Sequence, residues 1–457
     1  MLILIGSAIK AFQKIKKYIM LKKTTYYFVG IALVLLFFHS CDSKPAKKEM
    51  LTDPQIIDSI VDSYVDNGYY PMLYVRVENK DGSVAYEHSA VNQELLPEST
   101  IDGDTWFRIW SMSKIITISL VLDLVEDGFL NLEDPVEKYI PEFGDLKVAL
   151  TQNGESLANY VSQLYSENKP EDDPCPLQIV PNDSIMSVLN LINHKGGFYY
   201  ATTNVQCLDD KIASLNLLNL QNSQELIDAM AQLPLMQHPG STHFYGTNTT
   251  VLGLVAERAT GKSLKELVEE RITEPLKIEG LRYKTKEGIT LFPQFSGKDS
   301  IIRVANQGEL DILGEYIPNY SPENELYLGG EGMIGTANGY ADFLRMLMNH
   351  GELNGHRFLN EDTVKEIYSP HTQLDNPDGY NGYNLWVSKE SYKERGIGDA
   401  GLWIGGGYEA THFWVDPKRD FVGVVMSQMY WIPEEGYTRD DRIRGGIYKQ
   451  IFETEKE

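Results

Sequence analysis

The chain has 457 residues, of which 42% are hydrophobic and 11% aromatic, and its formal net charge is −24 at neutral pH. This apolar content is enough to bury a large core in two or three domains or lobes. The acidic balance argues against nucleic-acid binding, because the sequence offers no basic stripe to meet phosphates.

The first 50 residues differ from the rest of the chain. Five lysines between positions 14 and 23 precede an apolar run from Tyr26 to Phe38. This order of basic and apolar residues is typical of a secretory signal, and the run is too short to predict a transmembrane helix. Met20 stands before the last two of these lysines and is a candidate for the natural start.

The apolar run ends in FHSC, residues 38–41. A small residue followed by cysteine resembles a bacterial lipoprotein box, although the first two residues are not the usual ones. We therefore expect a lipid on Cys41 and a protein exported to the periplasm or the cell surface; the alternative is a free cysteine near an ordinary cleavage site. Residues 1–41 would be the signal segment, 42–50 a polar linker and 51–457 the folded domain.

The domain begins with a predicted helix and a predicted hairpin. Residues 52–68 carry one apolar face at helical spacing and end at Gly68, a residue that commonly stops helices. Residues 72–91 predict two strands around a Lys-Asp-Gly turn.

Ser111 and Lys114 form a Ser-x-x-Lys sequence at the start of a long apolar run. The chain contains this spacing three times, but only here does a strand-like run precede it and an apolar helix follow. Residues three apart share a helix face, so the Lys114 amine can reach the Ser111 hydroxyl. Burial and the helix dipole disfavour a charged lysine, and a neutral lysine can activate serine. The alternative is a helix cap beside a snorkelling lysine.

Most of the central chain has helical periodicity. The predicted helices are 114–127, 184–193, 223–233, 249–259, 263–271, 337–350 and 361–368.

Two stretches, 147–183 and 198–222, lack this periodicity and predict surface loops or a small insertion. Cys175 lies in the first and Cys207 in the second, and a remaining cysteine pair in an exported protein suggests a disulfide. No spacing of cysteine or histidine in the chain is typical of a metal site, so we expect neither metal nor cofactor.

Two later segments carry residues suited to an active site. Tyr245 lies in a predicted loop before an apolar helix, and Gly405-Gly406-Gly407 precede a predicted hairpin with apolar runs at 411–415 and 421–429. Glycines allow a substrate to approach the backbone closely. Strands at both chain ends predict an α+β fold: one antiparallel sheet built from both ends and flanked by helices, with an inserted, mostly helical lobe.

Four segments together resemble the serine beta-lactamase and penicillin-binding superfamily, specifically its class C-like esterase branch. They are residues 107–143, 225–264, 328–359 and 412–429. The resemblance covers roughly residues 51–455, and it implies a beta-lactamase-like, transpeptidase-like fold.

The resemblance also implies a role for individual residues. Ser111 would be the nucleophile, and Tyr245 would pass protons between the serine and the leaving group. Lys114 would be the base, or the group that keeps Tyr245 ionised. The backbone N–H groups of Ser111 and Tyr408 would form the oxyanion hole, with Asn248 as a weaker candidate. A histidine-containing turn at His194 matches the family and would be structural.

Two positions depart from the family pattern. Thr247 stands where the tyrosine motif often has asparagine, and Gly405 stands where lactamases and peptidases usually have the lysine of Lys-Thr-Gly. Esterase-branch members also lack that lysine. Thr247 and the glycines 405–407 would then line a substrate site without a fixed cation, which favours a neutral substrate. Arg395, ten residues before Gly405, could restore a cation.

These patterns indicate an exported serine hydrolase that forms an acyl-enzyme with a neutral ester or amide. Its expected partners are a small ester, amide or peptide substrate and, through the N-terminal lipid, a membrane, but no nucleic acid. One alternative is a D-Ala-type peptidase or beta-lactamase acting on cell-wall-like substrates. Another is a non-catalytic surface binding protein on the same fold, which the joint presence of Ser111, Lys114 and Tyr245 disfavours.

Overall fold

The computed structural model describes residues 50–164, 173–215, 217, 220–298, 301–306, 309 and 318–456. The predicted signal segment, with Cys41, lies outside the described residues, as does the linker apart from Met50. Within the described part of the chain, no helix has the length and apolar character needed to cross a membrane.

The strands are β1 Met72–Asn79, β2 Val84–Val91, β3 Phe107–Arg108, β4 Lys147–Leu150, β5 Gln178–Pro181, β6 Leu281–Arg282, β7 Phe295–Ser296, β8 Arg303–Val304, β9 Ile334–Gly335, β10 Glu352–Leu353, β11 His356–Arg357, β12 Gly379–Asn381, β13 Trp386–Ser388, β14 Trp403–Gly407, β15 Thr411–Asp416, β16 Phe421–Met426 and β17 Met429–Tyr430.

The α-helices are α1 Gln55–Asp66, α2 Ser113–Glu126, α3 Leu157–Leu164, α4 Val188–Ile192, α5 Gln206–Ser214, α6 Ser223–Met230, α7 Asn248–Thr260, α8 Leu264–Val268, α9 Glu274–Leu276, α10 Ala337–Met348, α11 Glu361–Tyr368, α12 Ser391–Glu394 and α13 Arg439–Lys456. A 3-10 turn, Trp110–Met112, leads into α2, and a π-helical turn, Glu269–Thr273, joins α8 to α9.

The main sheet has seven antiparallel strands in the order β12-β13-β14-β15-β16-β1-β2. Strand β1 pairs with β2 on one side and with β16 on the other, so both chain ends contribute to one sheet, as the sequence predicted. Strands β15 and β16 are buried at every position. Burial on both faces explains why β16, with the sequence FVGVVM, is apolar throughout rather than alternating.

Helices cover both faces of this sheet. The ring of Phe413 in β15 lies 5.3 Å from the ring of Tyr340 in α10, whereas the adjacent His412 contacts Arg444 of α13. Consecutive strand residues point to opposite faces, so α10 and α13 lie on different sides. Helices α2 and α7 pack against each other in the inserted lobe, and α2 is buried from Ser113 to Leu124, as its all-round apolar sequence predicted.

Of the two alternatives for 147–183 and 198–222, surface loops or a small insertion, the first is wrong for part of both stretches. They contain the antiparallel strand pair β4 and β5 and the helices α3 and α5, and these helices share a small apolar cluster. Cys175 and Cys207 pack against that cluster and are joined by a disulfide, with their Cα atoms 6.2 Å apart. The helix predicted at 184–193 begins only at Val188, where Ser187 caps it.

Candidate active site

Ser111 lies in the 3-10 turn that directly precedes the buried helix α2. The residue before it, Trp110, has a φ of +45°, which bulky side chains rarely adopt. Its buried indole N–H donates to Glu409 Oε2 at 2.6 Å, which holds the turn in this conformation. Backbone strain maintained by such surroundings is typical of functional sites.

The structure brings Ser111, Lys114 and Tyr245 together. Lys114 Nζ donates to Ser111 Oγ at 3.0 Å, and the Tyr245 hydroxyl lies 2.8 Å from the same oxygen. Lys114 is fully buried, whereas the Tyr245 side chain is 44% exposed. Ser111 therefore contacts one buried cation and one phenol that solvent or substrate can reach.

Lys114 has further hydrogen-bond partners away from the serine. Its Nζ donates to the Tyr200 hydroxyl at 2.8 Å and to the Gly330 carbonyl at 3.0 Å, and it lies 3.3 Å from Glu331 Oε1. Glu331 is 1% exposed, so it forms a buried ion pair with the lysine.

These contacts determine the charge of Lys114. Burial acts to lower its pKa, but the electrostatic interactions with Tyr245 and Glu331 outweigh burial, and the pKa is raised above its ordinary value. The expectation of a neutral Lys114 is therefore wrong, because it considered burial without an acidic partner. Of the two roles that the resemblance implied for Lys114, the geometry favours support of Tyr245.

Tyr200 and Thr250 hold the Glu331 carboxylate in place. The Tyr200 hydroxyl donates to Glu331 Oε1, and the Thr250 hydroxyl donates to Oε2 at 2.5 Å. Burial, together with the charge of Glu331, raises the pKa of Tyr200 well above its usual range, so it remains a phenol. No sequence pattern identified Tyr200, Thr250 or Glu331 as part of the site. The one available signal was an acidic residue inside the apolar, glycine-rich segment 328–337.

His194 orients the Tyr245 ring. The two rings stack with centroids 4.8 Å apart. His194 Nε2 lies 3.0 Å from Asn384 Oδ1, and its Nδ1 lies 3.4 Å from the Gly246 amide nitrogen. Burial lowers the His194 pKa well below its usual range, so the ring is neutral, donates from Nε2 and accepts at Nδ1. This arrangement fits the structural role expected for His194.

A pocket of about 180 Å³ opens beside Ser111 and Tyr245. Of the described residues that line it, none is lysine, arginine, aspartate or glutamate, and burial lowers the pKa of His243 in its wall to about 4. The walls are therefore uncharged near neutral pH. The remaining lining residues are Ile115, Asn381, Asn384, Trp386, Ile404, Gly405, Gly406 and Phe413.

Arg395, the candidate replacement cation, does not line this pocket. Its guanidinium pairs with Asp441 and lies 3.8 Å from Asp378. The structure thus keeps this charge away from Ser111.

Two of the three predicted glycines, Gly405 and Gly406, line the pocket. A Cβ atom on Gly405 would lie 2.5 Å from the Phe413 ring, and one on Gly407 would lie 2.5 Å from the Ile109 carbonyl oxygen. Side chains are therefore excluded at both positions. The close approach of Gly407 to Ile109 places β14 against the residue that directly precedes the 3-10 turn of Ser111.

Tyr408 follows β14 directly, and its ring meets the Trp110 ring edge-on at 5.4 Å. Its main chain therefore lies near the turn of Ser111, and its oxyanion role stays a prediction. Asn248 is fully buried and accepts a hydrogen bond from the Gly196 amide at 3.1 Å, a structural contact.

Thr247 does not reach the pocket beside Ser111. Its hydroxyl donates to the Tyr199 carbonyl at 3.3 Å, and the side chain lines a separate, mostly apolar cavity. The structure therefore does not place Thr247 where the sequence analysis expected a substrate contact. Among the described residues, no group of three or more His, Cys, Asp and Glu side chains could hold a metal ion.

Comparison with known proteins gives one family match and several similar proteins. A family model described as Beta-lactamase matches residues 57–444. Protein Rv1367c of Mycobacterium tuberculosis is 26% identical over 349 residues, which are 71% of this chain and 78% of that protein. Lovastatin esterase of Penicillium rubens is 26% identical over 310 residues, 65% of this chain and 69% of the esterase.

A solved structure, EstCE1, a hydrolase with promiscuous acyltransferase activity, superposes with a TM-score of 0.67. The superposition covers 86% of this chain and 98% of EstCE1 at 17% sequence identity. At that identity the match shows a shared fold.

Proposed function

The chain belongs to the beta-lactamase family and is a serine hydrolase, and from that premise we propose that it hydrolyses neutral carboxylic esters through an acyl-enzyme on Ser111. The predicted beta-lactamase-like α+β fold is confirmed by the superposition on EstCE1. The observation that carries the proposal is the contact of Ser111 Oγ with both Lys114 and Tyr245 at the edge of an uncharged pocket.

The contacts of Ser111 suggest how the reaction proceeds. The phenolate form of Tyr245 takes the proton of the Ser111 hydroxyl as Oγ bonds to the ester carbonyl carbon, and backbone N–H groups stabilise the oxyanion. Collapse of the tetrahedral intermediate breaks the bond to the alcohol, which leaves with the proton from Tyr245. Water then attacks the acyl-enzyme by the same steps in reverse order, and releases the acid.

The absence of charge in the described pocket walls supports a neutral substrate. A penicillin or a D-Ala terminus carries a carboxylate, and an anion that loses water without gaining a cationic partner is costly to bind. Lovastatin esterase and EstCE1 are by their names an esterase and a hydrolase with acyltransferase activity, which agrees with an ester substrate for this chain.

We expect the specificity constant for short-chain nitrophenyl esters to exceed that for a chromogenic cephalosporin by at least about tenfold, the effect of one lost charge-assisted hydrogen bond. Both substrates are assayed with one preparation, with the Ser111→Ala variant as the blank. A cephalosporin constant equal to the ester constant, or above it, would instead support the lactamase or peptidase alternative.

We also propose that the protein is exported and anchored by a lipid on Cys41, as the N-terminal sequence pattern indicates. Cells expressing the full chain and fed an alkyne fatty acid should incorporate the label, and the labelled protein should partition into detergent. Cys41→Ser should abolish both results, whereas Ser43→Ala, two residues further on, should change neither. Unchanged detergent partitioning of the Cys41→Ser variant contradicts the anchor.

A further inference from the structure

Building on the proposed function, we infer that Glu331 is a positioning residue that keeps Lys114 in its ammonium form, so that Tyr245 rather than Lys114 takes the proton of Ser111. Glu331 does not line the pocket beside Ser111. It therefore acts on the reaction through the lysine.

The hydrogen bonds around Glu331 identify it as an ionised carboxylate. Tyr200 receives a hydrogen bond from Lys114 and donates its own proton to Glu331. Thr250 receives one from the Gly330 amide at 3.3 Å and likewise donates to Glu331. Both hydroxyls thus supply donors to a group that only accepts, which an ionised carboxylate does.

An ionised carboxylate in this position requires a cation beside it. Lys114 Nζ lies 3.3 Å from Glu331 Oε1, and both side chains are almost fully buried. Removal of the charge from one member of a buried pair leaves the other uncompensated at low dielectric, which is costly. The stable combination is therefore carboxylate with ammonium.

An ammonium group cannot take the serine proton, because it has three N–H donors and no lone pair. Its neighbours Tyr200, Gly330 and Ser111 all present acceptor oxygens. The other group in contact with Ser111 Oγ is the Tyr245 oxygen. The Lys114 ammonium lies 5.1 Å from the centroid of the Tyr245 ring, close enough to stabilise negative charge on that residue during proton transfer.

The other titratable groups that face Lys114 do not replace Glu331. His194 and Tyr200 lie on the loops packed around the lysine, and Tyr245 lies on the loop before α7. Burial keeps the pKa of His194 well below its usual range and that of Tyr200 well above it, so both are uncharged near neutral pH. Glu331 is therefore the carboxylate that pairs with Lys114, beside the Tyr245 oxygen, whose electrostatic interaction also raises the lysine pKa.

The test is the pH dependence of kcat/KM for a nitrophenyl ester in Glu331→Gln. Without the carboxylate, one of the two interactions that oppose the effect of burial is lost and the pKa of Lys114 falls, so the ammonium is lost at lower pH. The alkaline limb of the profile should move to lower pH by about one unit or more. Thr250→Val, which removes a hydrogen bond to Glu331 but no charge, should leave that limb in place.

The opposite result overturns the inference. If Lys114 were a neutral base, loss of Glu331 would shift the acid limb to lower pH and extend activity there, while the alkaline limb would stay. A wild-type protein that lacks esterase activity, or whose Ser111 is not labelled by a fluorophosphonate, would instead contradict the proposed function itself. The two failures are therefore distinguishable.

A direct measurement avoids dependence on the variant's folding. Protein with ¹³Cε-labelled lysine is titrated by NMR, and the Lys114 resonance is assigned by its loss in Lys114→Met. We expect the wild-type resonance to keep its ammonium shift up to at least about pH 9, near the ordinary lysine range. An amine shift at neutral pH would refute the role of Glu331.

Discussion

Replacement of Ser111 with alanine should abolish acyl-enzyme formation and lower the ester hydrolysis rate by at least about a thousandfold, as loss of a catalytic serine does. The fold should remain, because Lys114 keeps its contacts with Tyr200, Gly330 and Glu331. Mass spectrometry of the fluorophosphonate-treated protein tests whether the covalent adduct is lost. Urea unfolding tests whether the fold remains.

Ser113, two residues further along the chain and the first residue of α2, provides the matched control. Its hydroxyl is buried and accepts a hydrogen bond from the Met333 amide at 3.2 Å. Ser113→Ala should therefore retain labelling and activity, and should lower the free energy of unfolding by about 1 kcal/mol. A fluorophosphonate adduct mapped to Ser113, or to a residue other than Ser111, contradicts the nucleophile assignment.

Local sequence patterns predicted the parts of the fold that depend on short-range contacts. The hairpin at 72–91, the start of α2 and the pairing of Ser111 with Lys114 all follow from spacings of a few residues. The chain ends could be placed in one sheet because a predicted hairpin stands at each end of the domain, with predicted helices between them.

The charge partners of Lys114 could not be predicted in that way. Glu331 and Tyr200 are 217 and 86 residues away from it in sequence, and contacts of that range leave no periodic signal. An isolated acidic residue in an apolar segment can be a solvated turn or a buried partner, and only the fold decides between them. This is why the sequence analysis expected the wrong charge for Lys114.

Helix α13 was missed for a related reason. It buries Arg439, Arg444 and Gln450 together with a few apolar residues, so its apolar face is weak. These polar side chains are buried because distant groups satisfy them: Arg439 donates to the Ala410 carbonyl, and Arg444 contacts His412. Polar residues paired across the fold weaken the periodicity by which helices are recognised.

The second large effect should come from Lys114→Met. Loss of the amine should lower the hydrolysis rate by at least about a hundredfold, because Tyr245 loses the charge that supports its proton transfer. It should also lower the free energy of unfolding by roughly 3–5 kcal/mol, since the buried Glu331 carboxylate is left unpaired. Urea unfolding at neutral pH and the nitrophenyl ester assay measure the two losses.

The double variant Lys114→Met/Glu331→Gln separates these two losses. It removes both charges and leaves amide and thioether groups of similar size, so the free energy of unfolding should recover to within about 2 kcal/mol of wild type. The hydrolysis rate should not recover, because the ammonium beside Tyr245 is still missing. Single-variant losses of stability that simply add in the double variant would show that the two charges do not interact. A recovered hydrolysis rate would show that Lys114 acts only by neutralising Glu331. Additive stability losses and a recovered rate are both incompatible with a Lys114 ammonium that supports Tyr245.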